Sequence, residues 1–453
     1  MVVIVLLACL ASCFVPVAYV AVLIPLLNVL QNMVHDDVPS IFSVGPVDAY
    51  PVDLLTILVF LRFFIDLLRR RKPVIHKNLY LALGVFLMAN LAATFFAKIK
   101  FGDEHMLKCL VTWVRFVSEV MLLPIVASCI RSEKMAERCI QILVVVMGAM
   151  SWIQFVNLFG APFGVTIGEV QGMESGRPRY FGPVGDSVGF VLLLGYLQCL
   201  YSRRLIGAAV FIGGILLTAG LGATVALIFG TGLFFAFLTR LTPSGKKFIA
   251  QELIFPLGLL VLTFALVYWG GAFVETISMR LGKENFGDGS GKQRLDTFTI
   301  GFRMFLDNPV LGVGFAGFGH VAHLYGAEEF FDYTDVVGAT ANANNQALEA
   351  VCSAGLPGLI SLGLLLLVAV RMFYETTKAR SAYISSYYKA AFVWLLSMIF
   401  GNLVSAWILP GFLTELLWLS LGIAVAVGHL ERTRANTSVV RPAAPKLSGR
   451  FTQ

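Results

Sequence analysis

Long, uninterrupted apolar runs separated by short polar segments dominate the chain. A helix needs about 20 apolar residues to cross the hydrocarbon core of a bilayer. Stretches that reach or approach this length are 2–31 (with Pro16 and Pro25 inside), 51–68, 78–97, 109–130, 139–160, 184–201, 205–221, 222–239, 252–274, 346–370, 390–407 and 412–430. The runs are continuous and do not alternate at every second residue, which excludes an outer-membrane barrel. The pattern predicts an all-α polytopic membrane protein with about twelve transmembrane helices. Residues 1–430 form a single integral membrane domain, and 431–453, polar with two prolines, form a disordered tail. The opening MVVIVLLACLASC imitates a signal peptide, but no Lys or Arg precedes Arg62, so a retained first helix is expected.

Charge placement orients these spans. Arg69, Arg70, Arg71, Lys72 and Lys77 follow the second span, Arg131, Lys134 and Arg138 the fourth, and Arg203 and Arg204 the sixth. Arg240, Lys246 and Lys247 follow the eighth, Arg371, Lys378, Arg380 and Lys389 the tenth, and further basic residues lie beyond 430. Every even-numbered exit is basic, so both termini are expected in the cytoplasm. The net charge of +7 is therefore topological and does not point to nucleic acid. With 58% hydrophobic and 13% charged residues, the 453-residue chain lacks the polar surface of a soluble enzyme. Its cysteines (Cys9, Cys13, Cys109, Cys129, Cys139, Cys199 and Cys352) lie in or beside apolar segments and read as packing residues, without metal-ligand spacing or a disulfide framework.

Two outward loops stand out by length, 161–183 and 275–345, the latter between spans nine and ten. Connections longer than about 15 residues usually carry function. Within the second, 293–306 has helical periodicity, stopped by Asp307-Asn308-Pro309. Arg177, Arg179, Arg280, Arg294 and Arg303 lie in these loops, against the positive-inside tendency. Guanidinium groups bind phosphate oxygens bidentately, so the arginines are candidates to bind a lipid-linked pyrophosphate; ion pairing with the loop's own carboxylates is the alternative. Gly312–Gly317 matches GxGxxG but has no preceding strand, so the glycines read as turn formers. Asn342-Ala343-Asn344-Asn345-Gln346-Ala347-Leu348-Glu349 enters the tenth span and offers amides and a carboxylate to sugar hydroxyls, or a helix cap. His320, His323 and Glu349 are candidate bases. Arg115 and Glu119 lie one turn apart inside the fourth span, as an ion pair or a site. No DxD cluster occurs in the outward loops, and neither a metal nor a cofactor is expected.

Three stretches together resemble a known family. Arg294 to Phe318, RLDTFTIGFRMFLDNPVLGVGFAGF, is similar to the signature of the O-antigen ligase and O-antigen polymerase family, polytopic enzymes that handle undecaprenyl-diphosphate-linked glycans. NNQALEAVCSAGLPGL, from Asn344, resembles the family's HN-x9-GxxG motif. GRPRYFGPVGDSVGFVLLL resembles an upstream stretch that places Arg179 on the family's first-loop arginine. With Gly355 and Gly358 on the motif's glycines, Asn344 stands where ligases carry a histidine proposed as base, and Asn345 matches the motif's asparagine. Asparagine takes no proton at neutral pH.

The resemblance implies a glycosyltransferase of the bacterial inner membrane acting on the periplasmic side, and the lack of a DxD cluster favours metal-independent transfer. It would join undecaprenyl-diphosphate-linked oligosaccharide repeat units for O-antigen or exopolysaccharide synthesis, beside flippase and chain-length regulator proteins. Arg179 and Arg294 would hold the diphosphate, with Arg177, Arg280 and Arg303 as lesser candidates, and Asn344 and Asn345 would contact substrate. A ligase passing finished glycan to lipid A core is the alternative within the family. A transporter of lipid-linked glycan is the alternative outside it, and would need a polar path at the bilayer midplane, which is nearly uncharged here.

Overall fold

The computed structural model describes residues 15–33, 42–44, 47–49, 51–69, 73–160, 163, 165, 167, 171–172, 178–179, 185–218, 221–241, 290–327, 343, 345–401 and 412–440. The expected ninth span, 252–274, lies outside them, as do residues 1–14 of the first.

The described elements are overwhelmingly helical. In chain order they are α1 (Val17–Met33), α2 (Pro51–Leu68), α3 (Lys77–Val120), α4 (Leu122–Cys129), α5 (Glu133–Gly160), α6 (Gly185–Tyr201), α7 (Leu205–Leu217) and α8 (Leu221–Leu241). Then follow α9 (Ser290–Asp307), the single turn α10 (Phe318–Val321) with a 3-10 turn at Ala322–Tyr325, α11 (Gln346–Thr376), α12 (Ala382–Gly401) and α13 (Phe412–Val440). Two small antiparallel hairpins interrupt the all-α expectation. β1 (Phe42–Val44) pairs with β2 (Val47–Ala49) with Phe42 opposite Ala49, and β3 (Gln171–Gly172) pairs with β4 (Pro178–Arg179) with Gln171 opposite Arg179. Both lie in links between helices, where a two-strand turn closes a loop without a sheet.

Among the described residues four helical stretches are long and apolar enough to cross a membrane: Lys77–Cys129, Glu133–Gly160, Gln346–Thr376 and Leu413–Asn436. Shorter apolar helices are Val188–Tyr201, Leu205–Leu217 and Ala223–Phe237. Outer faces of the helices carry large exposed apolar side chains, such as Leu81 and Met88 on the first of these stretches and Ile57, Leu61 and Phe64 on α2. Lipid, not water, suits such a surface.

The core lies where α6 is enclosed by α7, α8 and α12, and where α13 packs on α4, α1 and α11. Buried polar groups fasten it. The Trp394 indole N–H donates to the Phe190 carbonyl at 2.9 Å, and the Tyr388 hydroxyl donates to the Ser420 carbonyl at 2.6 Å. In an apolar surrounding such bonds have no water to compete with them.

Three differences from the sequence reading follow from long-range contacts. Spans three and four are continuous as α3 except at Gly102, whose φ of 87° breaks the helix. Span ten is broken at Ala354 and Gly355. The expected disordered tail is instead helical as far as Val440, because Arg434 pairs with Glu133 at 2.7 Å and Glu431 accepts the Arg380 backbone N–H at 3.1 Å.

Candidate active site

The break in α11 organises the site. At Ala354 (φ −141°) and Gly355 (φ 61°, ψ −154°) the helical ladder stops, and the carbonyls before it lose their partners. The segment after α9 supplies replacements. Val313 N–H donates to the Cys352 carbonyl at 2.7 Å and Gly314 N–H to the Ser353 carbonyl at 3.1 Å, while Leu356 N–H donates back to the Pro309 carbonyl at 2.9 Å. Pro357 then opens the second half of the helix, where its missing N–H loses nothing. The docking needs glycine on both partners. A Cβ on Gly355 would lie 2.5 Å from the Pro309 carbonyl oxygen, and one on Gly312 (φ 63°) would lie 2.4 Å from the Cys352 oxygen. The GxGxxG glycines are thus turn formers, as expected, and their turn is shaped to seat on the broken helix.

This seat is extended by α3. Thr94 Oγ1 accepts from Phe315 N–H at 3.1 Å, and His105 Nε2 lies 2.6 Å from the Val313 carbonyl and so donates to it. Lys100 Nζ donates to Asn308 Oδ1 at 2.9 Å, and Asn308 Nδ2 donates to the Tyr325 hydroxyl at 2.9 Å. Ala316 holds a positive φ of 52°, uncommon for a residue with a side chain, and its N–H donates to Ser353 Oγ at 3.2 Å.

Glu349 is 1% exposed, on the first half of α11. Its Oε2 accepts the Ala343 N–H at 2.9 Å and its Oε1 accepts from Ser353 Oγ at 3.3 Å. Both carboxylate oxygens are occupied by the protein, so Glu349 braces the approach to α11. Asn345 caps the helix, its Oδ1 accepting from Leu348 N–H at 3.0 Å. Asn344 lies outside the described residues.

His320 on α10 is half-buried, and its ring stands edge-on to that of His105 with centroids 6.0 Å apart. Burial holds the His320 imidazole below its ordinary value of 6.5, and the charges of His105 and Lys108 push the same way. It is therefore neutral, and able to accept a proton, in the neutral pH range. His323 is exposed on the adjoining turn. Lys108, half-buried beside this pair, holds Glu104 at 2.7 Å.

α9 runs along α11 and realises the helix expected over 293–306, ending at the expected stop. Ile300 and Met304 are fully buried against the Leu348 and Cys352 side, whereas Phe298, Phe302 and Leu306 form an exposed stripe at i, i+4, i+8. Arg294 lies one turn before Phe298 on α9. Arg303 is exposed, and its Nη1 donates to the Tyr325 carbonyl at 3.2 Å. Arg179 forms the end of β4, while Arg177 and Arg280 lie outside the described residues. Of the candidates, the structure thus brings His320, Glu349, Asn345 and Arg303 into one region. Arg115 is exposed on α3, and Glu119 accepts from Thr414 Oγ1 at 2.8 Å, away from that region.

Sequence reasoning did not single out His105, Lys100 or Lys108. They sit in the short polar link between spans three and four, and the signal available was its density of ionisable residues, Lys98 to Lys108, on the same side as the long outward loop.

A chain of apolar helices, with a glycine-rich loop seated on a broken helix and histidines at its edge, defines a membrane protein with a site at one end of its bundle. Residues 206–363, about a third of the chain, match the model of the O-antigen ligase family, which supports the resemblance read from the sequence motifs. The matched segment runs from α7 through α9 and the docked loop to just past the break in α11. No curated protein matches the chain.

Proposed function

We propose that the protein is a bacterial polysaccharide polymerase. It joins undecaprenyl-diphosphate-linked oligosaccharide repeat units on the periplasmic face of the inner membrane, through about twelve spans with both termini in the cytoplasm. The family's members are glycosyltransferase-like enzymes, and lipid-linked glycans are the substrate class the family points to. The observation that carries the reading is the seat of residues 308–317 on the broken α11, inside the matched segment. It gathers a neutral histidine, a capped helix end and the α9 stripe at one edge of the apolar bundle.

In this reading the donor's undecaprenyl chain lies along Phe298, Phe302 and Leu306, and Arg294, one turn before Phe298 in the chain, meets the diphosphate with Arg179. Arg177, Arg280 and Arg303 add positive charge. The bond from the anomeric carbon to the diphosphate oxygen breaks as the acceptor hydroxyl oxygen attacks that carbon. The hydroxyl proton passes to His320, and undecaprenyl diphosphate leaves with its charge met by guanidinium groups. His323 is the second candidate base. Glu349 acts by holding the α11 entrance, and Asn344 and Asn345 contact sugar hydroxyls. Transfer needs no metal, since the diphosphate is already a good leaving group. Flippase and chain-length regulator proteins deliver substrate and set length.

A ligase that passes finished glycan to lipid A core is the second reading, favoured by the description of the matched family. Asn344, where the ligase motif has histidine, weighs against it. Deleting the gene separates the two. Loss of a polymerase leaves single repeat units on undecaprenyl diphosphate. Loss of a ligase leaves full-length polymer there and none on lipid A, and that result would overturn the polymerase reading.

A further inference from the structure

At the opposite end of the bundle, away from the docked loop, the start of α1, the end of α2 and the junction of α4 with α5 enclose a cavity of about 620 Å³. Among the described residues its lining holds three arginines, Arg62, Arg69 and Arg131, and one carboxylate, Asp66. Arg62 is half-buried and lies six residues short of the end of α2, about 9 Å inside it along the axis. One of its N–H groups is spent on the Val15 carbonyl at 2.8 Å, which fixes the guanidinium and leaves its other donors available. None of the three arginines forms a salt bridge among the described residues. The remaining wall is apolar, with Ile65 and Met135, and Ile65 and Leu68 are exposed on the adjoining outer face of α2.

Basic residues at this end of the helices follow from topology alone, but topology does not require them to converge. Three guanidiniums on one cavity, with an apolar wall continuous with the lipid-facing surface, match an amphipathic anion. We propose that this cavity binds the headgroup of an anionic phospholipid, its phosphate on Arg62, Arg69 and Arg131 and an acyl chain along Ile65 and the outer face of α2. A phosphate-bearing soluble molecule would satisfy the arginines but not the apolar wall. The site is independent of the transfer chemistry at the other end, and its occupant joins α1, α2 and α5 at the membrane edge.

Native mass spectrometry of the full-length protein in detergent tests this, with dioleoylphosphatidylglycerol, dioleoylphosphatidylcholine or inorganic phosphate added. The expected result is phosphatidylglycerol adducts that survive activation energies which strip phosphatidylcholine, undisturbed by equimolar inorganic phosphate. The Arg62→Gln/Arg131→Gln double variant should weaken phosphatidylglycerol binding at least about 10-fold. Arg69→Gln, whose side chain is exposed and forms no salt bridge among the described residues, should weaken it several-fold and decides the matter if the double variant does not fold. Equal retention of the two lipids, displacement by inorganic phosphate, or undiminished phosphatidylglycerol binding by Arg69→Gln would overturn the proposal.

Discussion

His320 and His105 differ in what their surroundings leave them to do, although both are histidines at the same edge. His105 is buried and its Nε2 is engaged by the Val313 carbonyl at 2.6 Å, so it positions the docked loop. His320 is half-exposed and kept below 6.5 by burial and by the neighbouring positive charges. A base works in its unprotonated form, and a lowered value keeps that form populated at lower pH. The acidic limb of a pH–rate profile for glycan transfer should therefore fall below 6.5. Replacing His320 by Gln should lower the rate about 100- to 10,000-fold and remove that limb. An unchanged profile in the variant would pass the role to His323. If Arg294 holds the diphosphate as proposed, Arg294→Ala should raise the barrier by about 2–4 kcal/mol, a loss of roughly 30- to 1,000-fold in single-turnover rate, with the folded fraction unchanged.

At the scale of elements, the broken α11 and the 308–317 loop stabilise one another, and neither conformation is self-sufficient. Gly355 has a backbone conformation open essentially to glycine alone, and Pro309 leaves no room for a Cβ. Gly355→Ala should lower stability by about 1–3 kcal/mol or more, seen as a lower thermal midpoint in detergent, and transfer should fall with it. Gly363→Ala, further along the same helix with open space at its Cβ, should leave the midpoint unchanged or slightly raised. Equal midpoints for the two variants would contradict the docking account. These elements also show what was readable beforehand. α9 announced itself through its periodicity, and its end through Asp307-Asn308-Pro309, because both signals are local. The break in α11 was masked by an apolar run that reads as one span, since its cause is a partner some forty residues earlier: Val313 N–H on the Cys352 carbonyl. His105 was missed for the same reason, its partner Val313 lying 208 positions away.

For the whole molecule, the same separation holds between ends. The docked loop, His320 and the α3 break at Gly102 share one end of the bundle, and the Arg62, Arg69 and Arg131 cavity occupies the other. In the proposed topology, which follows the positive-inside tendency, the second faces the cytoplasm and the first the periplasm. Single cysteines introduced at Leu324, exposed beside His323, and at Ser132, exposed in the α4–α5 turn, test this assignment in a background without reactive cysteines. A membrane-impermeant maleimide applied to intact spheroplasts should label the first and spare the second; the reverse pattern would place the site in the cytoplasm and end the periplasmic reading. The helical assignment was legible at this scale because apolar length is a property of composition. The site was legible only as scattered arginines and histidines, because a bundle's end is assembled from links far apart in the chain.

A polymerase lengthens lipid-linked glycan, and reconstitution shows whether this protein does. The purified protein is reconstituted in membranes with its host's undecaprenyl-diphosphate oligosaccharide, without nucleotide or metal, and the products are resolved on a gel. The expected product is a ladder of longer lipid-linked glycans, lost with Arg294→Ala and with His320→Gln. No lengthening by the native protein with its native substrate, alongside transfer to added lipid A core, would contradict it and establish the ligase.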